Sequence, residues 1–154
     1  MALSYSAVTA ITWTPAGVAT GVYDASLAVD NSVNLYEDVI VGGFITTGTT
    51  PTTAKRIQIF LYASWDGGIS YSAGLTGLDG AAPHVGETGN LIGPIWVMDT
   101  DATSNHQYEW GPVSLGAIIG CVPQKWGLCL VHDTVVALNA TAALHEAEYQ
   151  GIKY

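Results

Sequence analysis

An all-β domain of many short antiparallel strands, closed as a sandwich or a barrel, is the fold this sequence predicts. Three observations predict it. β-Branched and aromatic residues recur in short runs, Gly, Pro, Asn and Asp punctuate those runs, and the apolar period of amphipathic helices is scarce. The 154 residues sit near the commonest domain size and contain neither an internal repeat nor a dividing linker, so one domain is expected. Apolar residues make up 49% of the chain, with five Trp and eight Tyr among them, enough for a core that stands without disulfides.

The elements follow in order. A first strand is expected from Ala7 to Thr14, stopped by Pro15, whose ring cannot donate to a ladder. A second covers Val18 to Tyr23 and continues after a turn at Asp24 through Leu27 to Val29; the turn formers Asp30 to Asn34 follow. Leu35 to Thr46 carries Val39, Val41 and Ile45 on one face and Ile40 and Phe44 on the other, which predicts a central strand covered on both sides. Thr46 to Ala54 reads as a polar loop, and Arg56 to Trp65 alternates as a strand. Asp66-Gly67-Gly68 then predicts a tight turn returning Ile69 to Ser72 as a hairpin. Ala73 to Gly89, rich in Gly and poor in large apolar groups, reads as a long surface loop.

Leu91 to Met98 forms the next strand, Asp99 to Asn105 a polar loop, and His106 to Trp110 a strand ended by Gly111-Pro112. Ser114 to Ile119 is a short helix with Ser114 as cap and Gly120 as stop. Trp126 to His132, Thr134 to Leu138 and Glu146 to Tyr154 complete about ten strands.

Charge and thiols exclude several classes. Only 11% of residues are charged, against about 25% in an average soluble domain. The exterior must therefore be small and neutral, a surface that suits packing against neighbours. Net charge is −9, and Lys55, Arg56, Lys125 and Lys153 form no basic cluster; nucleic-acid binding and attachment to an anionic membrane are not expected. The start MALSYSAVTAITW lacks the basic residue and unbroken apolar run of a signal peptide. Leu115 to Leu130 is too interrupted to span a bilayer. Cys121 and Cys129 are expected to be reduced and buried.

No catalytic constellation stands out, so the chain is not expected to be an enzyme, and neither a metal nor a cofactor is expected. Asp99 and Asp101 beside His106 lack the further oxygens calcium needs and read as a solvated turn. His132 and Asp133 are adjacent on a strand and so point to opposite faces, unlike a base and its orienter. His84, His106 and His145 have no ligand spacing, and no serine sits in a G-x-S-x-G elbow. Glu146 and Glu148 read as a solvated strand edge that discourages aggregation. Trp13, Trp65, Trp96, Trp110 and Trp126 lie in or at the ends of strands, where burial between sheets is the expected fate; an exposed ring would instead suit stacking on a sugar.

Three stretches carry a resemblance: Tyr62-Ala63-Ser64-Trp65-Asp66-Gly67-Gly68 running on to Tyr71-Ser72-Ala73-Gly74-Leu75-Thr76-Gly77, then Trp110-Gly111-Pro112-Val113-Ser114, then Pro123-Gln124-Lys125-Trp126-Gly127. In combination they resemble small jelly-roll structural proteins of tailed bacteriophages, in particular capsid decoration, or cement, proteins. The resemblance spans Arg56 to Leu130 and rests on turn formers and core aromatics, so no functional residue is carried over. It implies a double-sheet jelly roll, often trimeric, made in the host cytoplasm and seated on the capsid exterior. There it would bind the major capsid protein and brace junctions between subunits.

The surfaces expected to dock are the loop residues Thr49, Thr50, Pro51, Thr52 and Thr53, together with Leu75, Leu78, Pro83 and His84 in the longer loop. The N-terminal residues Met1 to Ser6, part of an arm expected within positions 1–15, are a third candidate. Deleting Ala73 to Gly89 is expected to leave folding intact and weaken capsid attachment. The alternative reading is a carbohydrate-binding or host-recognition module of a phage tail or fibre, which requires a Trp ring exposed in a groove beside Asp or Asn.

Overall fold

Ten strands form two antiparallel sheets in the computed structural model, which describes residues 2–154. They are β1 (Ser4–Tyr5), β2 (Thr9–Ala10), β3 (Asp24–Ala25), β4 (Val29–Asp30), β5 (Asp38–Thr46), β6 (Lys55–Ser64), β7 (Ile92–Thr100), β8 (Gln107–Ser114), β9 (Lys125–His132) and β10 (Glu146–Lys153). In the first sheet β1 and β2 lie along β10, followed by β5 and β8. In the second, β3 and β4 lie along β9, followed by β6 and β7. With each two-residue pair counted as one interrupted strand, the chain alternates between layers as an eight-stranded jelly roll does. The predicted all-β sandwich is the fold.

Period-two alternation decides which side chains fill the space between the sheets. Val39, Val41 and Ile45 of β5, Ile57, Ile59 and Leu61 of β6, and Trp126, Leu128 and Leu130 of β9 are all fully or almost fully buried there, with Trp110 and Ala147. The short helix α1 (Leu115–Ile119) is capped as expected. The Ser114 hydroxyl accepts the Ala117 N–H at 3.0 Å, and Gly120 takes the left-handed conformation at φ 82°.

Several expected elements differ. Val18 to Tyr23 is not a strand, because Gly17 and Gly21, both at positive φ, turn the chain twice there. Asp24, expected in a turn, opens β3 and is buried. The expected Ala7–Thr14 strand shrinks to β2, and β5 starts only at Asp38 after Leu35 turns left-handed at φ 52°. Ile69 to Ser72 makes no hairpin. The Asp66 carboxylate instead accepts the N–H groups of Ile69 and Ser70 at 3.0 Å each and winds the chain into a loop. Thr134 to Leu138 reaches a ladder only through the bridge from Leu138 to Thr47, with Val135 left-handed at φ 76°. β8 runs on through Gly111-Pro112 across a bulge opposite Val41 to Gly43. β7 extends to Thr100, so Asp99 is a strand residue.

The largest correction concerns the Gly-rich stretch. Residues 65–91 leave β6 and return to β7, and on the way they cover the outer face of the second sheet. Ala73, Leu75 and Leu91 are buried there against Ala25, Tyr62 and Cys129 as a second apolar cluster. Backbone bonds fasten the cover: Ala25 N–H donates to the Ala81 carbonyl at 2.9 Å, and Gly80 N–H to that of Ala25 at 2.8 Å. This segment is part of the fold, so the expectation that it can be deleted without harm is withdrawn.

Both thiols are free, but only Cys129 is buried; Cys121 is exposed in the turn after α1. Burial pushes the Cys129 thiol up to about 12, so it stays protonated at neutral pH. Among the described residues no helix is long and apolar enough to cross a membrane.

Candidate docking surface on the first sheet

The two outer faces of the sandwich are treated differently by their own chain. The second sheet is covered by residues 65–91, whereas the first carries an open trough of about 370 Å³. In an antiparallel pair, residues directly opposite project to the same face. The register therefore places Tyr5 with Ile152, Ile40 with Gln150 and Ser114, and Ala10 with Glu148 on the outside. Ile40 and Phe44 are half-buried, not covered as the sequence led us to expect, and Val8 is 56% exposed.

Glycines make the floor. A Cβ on Gly42, which the register pairs with the outward Glu148, would sit 3.1 Å from the Trp110 carbonyl oxygen, and one on Gly111, at φ +81°, 2.6 Å from that of Val41. Side chains are thus excluded where β5 meets β8, and the sheet face is left as bare backbone. Apolar walls come from Val8, Ile40, Phe44 and Pro112, and Glu109, Glu148 and Gln150 supply the polar groups. Glu148 belongs to β10, which has neighbours on both sides, so Glu146 and Glu148 do not mark a sheet edge.

The sequence-predicted docking residues fall elsewhere and do not form one surface. Thr49 and Thr50 are exposed and line a separate hollow with Asn105 and Asn139, while Thr52 and Thr53 are exposed beside it. Pro51 is buried, as are Thr46 and Thr47, so this loop is less of a surface feature than its polarity suggested. Leu75 is 5% exposed and belongs to the cover's apolar underside; Leu78 and His84 are exposed and Pro83 is half-buried on its outer side. The arm expected within positions 1–15 is, from Ser4 to Ala10, tied along β10.

The chemistry-bearing groups remain scattered. His132 is buried, with its ring nitrogens 2.9 Å from the Thr134 hydroxyl and 3.0 Å from the Val18 carbonyl, and burial pushes its pKa down. The neighbouring Asp133 accepts the Arg56 N–H instead. His106 lies 3.2 Å from Asp101, whose carboxyl is held well below the usual range by the N–H of Thr103 and the hydroxyl of Tyr108. His145 faces the Asn139 carbonyl at 2.8 Å. Among the described residues there is no cluster of three or more His, Cys, Asp or Glu positioned to hold a metal ion.

No family model, curated protein or solved structure matches this chain.

What points to the trough in the sequence is the pair Gly42-Gly43 inside a strong strand pattern, a signal for a bulge or a close backbone approach. Together with Gly111-Pro112 on the adjacent strand it marks the place where the sheet is stripped of side chains.

One titratable group ties the N-terminal third to the second sheet and its cover. Asp24 is buried, accepts the Trp13 indole N–H at 2.8 Å and lies near Asp79, which in turn accepts the N–H and hydroxyl of Thr14. Loss of solvent is the main cause that raises its pKa from 3.8 to about 6; the Trp13 bond opposes the rise and Asp79 adds to it. The folded state therefore binds this proton more tightly than the unfolded state does. Stability is expected to fall as pH rises from about 4 to about 6 and then to level off, a cost of at most about 3 kcal/mol that solvent around the carboxyl reduces. Asp24→Asn keeps an acceptor for Trp13 and is expected to remove that slope. Urea unfolding of both proteins between pH 4 and 7 checks it, and parallel curves would contradict it.

Proposed function

We propose that the chain is a capsid decoration protein. It seats the open face of its first sheet on the major capsid protein at the outside of a tailed-phage head, and it works as a homo-oligomer, in keeping with the trimers of the proteins it resembles. The observation that carries this reading is the asymmetry of the sandwich: one outer face is sealed by the chain itself, and the other leaves Tyr5, Val8, Ile40 and Phe44 beside a glycine-floored trough. Apolar area left in water costs roughly 25 cal/mol per Å², which a partner recovers by covering it.

Electrostatics narrows the partner's chemistry. Glu109 and Glu148 at the trough favour a capsid segment that presents Lys or Arg next to apolar side chains. The net charge of −9 keeps the free protein soluble and steers it toward such a site. Contacts to several capsid subunits at once multiply a modest single-site affinity.

The test is cosedimentation with phage heads stripped of this protein. Saturable binding and a higher temperature of head rupture are expected. Val8→Glu, at an exposed position, is expected to weaken binding roughly tenfold while leaving the fold intact. Folded protein that stays in the supernatant at every concentration would sink the reading.

A further inference from the structure

At the end of β6, in the second sheet, a further feature is left in water. Trp65 follows the last residue of β6 and is 63% exposed, whereas Trp110 and Trp126 are buried and Trp13 and Trp96 half-buried. Beside it runs a groove of about 270 Å³ lined by Trp65, Asp66, Ser70, Tyr71, Ser72 and Ile92. That volume lies below the roughly 300–1,000 Å³ of sites for drug-sized molecules and suits a single ring.

The groove is held rigidly. Asp66 accepts hydrogen bonds from the Ser64 hydroxyl at 2.7 Å and from the N–H groups of Ile69 and Ser70, and it also accepts the Ser70 hydroxyl. Gly68 N–H donates to the Ser64 hydroxyl oxygen at 2.8 Å. A loop fixed in this way loses little freedom when a ligand arrives. The Ser72 hydroxyl oxygen accepts the Ala63 N–H at 3.1 Å, which leaves its own proton to donate. Tyr71 adds a phenol, its ring packed edge-on against Tyr62 at 5.6 Å.

We propose that this groove binds a neutral pyranose ring of an oligosaccharide, the Trp65 indole lying against the C–H face and the Tyr71 and Ser72 hydroxyls meeting the polar edge. The pairing of an exposed indole with fixed hydroxyls matches a ligand that is apolar on one face and hydroxylated around its rim. Charge selects against acidic sugars. Asp66 lines the groove as an anion, and the neighbouring cation, Lys125, has its stem against Gly68 and its ammonium 3.6 Å from Asp30. The site lies on the second sheet, so it stands or falls apart from the docking trough.

Titration of the intact protein with tetrasaccharides of glucose, galactose, N-acetylglucosamine and galacturonate, read by tryptophan fluorescence and saturation-transfer NMR, tests it. At least one neutral tetramer is expected to bind and the galacturonate tetramer to bind more weakly. Trp65→Ala is expected to weaken that binding about tenfold, and Trp65→Phe to stay within about threefold of the parent, with unchanged thermal midpoints in both. No binding by any neutral tetramer, or equal binding by Trp65→Ala, overturns the proposal. So does loss of head cosedimentation in Trp65→Ala without sugar binding by the parent, because the groove would then seat a protein.

Discussion

Replacing residues 73–89 by a short Gly-Ser linker is expected to lower the free energy of unfolding by about 5 kcal/mol, enough to leave a protein of ordinary stability largely unfolded. Burial of Leu75 alone contributes about 1.5–3 kcal/mol. The Ala25 N–H, on a residue with no exposed surface, would exchange the Ala81 carbonyl for water, which forfeits a net contribution of about 0.5–1.5 kcal/mol. Tyr62 and Cys129, both fully buried beneath the segment, would meet water as well. The single substitution Leu75→Ala isolates the apolar part and should cost about 2–5 kcal/mol. Urea denaturation followed by far-UV circular dichroism measures both. A linker variant with the parent's midpoint would show that the cover is an ornament on a self-sufficient sandwich.

That cover explains much of what the sequence hid. Small residues read as surface because they bring little apolar area, yet in residues 73–81 they let the backbone approach the sheet closely enough for Ala25 and Ala28 to hydrogen-bond with it. A few larger groups, Leu75 and Leu91 among them, then complete the seal. The long strands were legible because their period-two pattern is local and strong: β6, β9 and β10 lie within a residue or so of the expected bounds, and α1 has the cap and stop read from Ser114 and Gly120. The N-terminal third was not legible, since β1 to β4 are two-residue contacts whose existence depends on partners in β9 and β10 more than a hundred residues away in most cases. Ile40 and Phe44 show a related limit. Their alternation with Val39, Val41 and Ile45 established that both faces of β5 are apolar, but whether chain or solvent lies over the second face is a matter of topology.

Trp126→Ala is expected to cost about 3–5 kcal/mol, the range for removing a fully buried aromatic ring. The side chain projects from β9 into the space between the sheets, has no exposed surface and meets Tyr149 of β10 edge-on at 5.5 Å, so it joins one sheet to the other. Trp126→Phe separates two opposed effects. The smaller ring leaves a void, which destabilises, but it also removes the indole N–H, which is buried and has no hydrogen-bond partner among the described residues. An unpaired buried donor costs about 1–3 kcal/mol, comparable to the packing lost on shrinking the ring. The Phe variant is therefore expected to unfold within about 1 kcal/mol of the parent, far closer to it than to the Ala variant. Chemical denaturation of the three proteins at one pH decides the matter: a loss of about 1–3 kcal/mol in the Phe variant would mean that the indole N–H carries no penalty and that shape alone sets the stability of this seam.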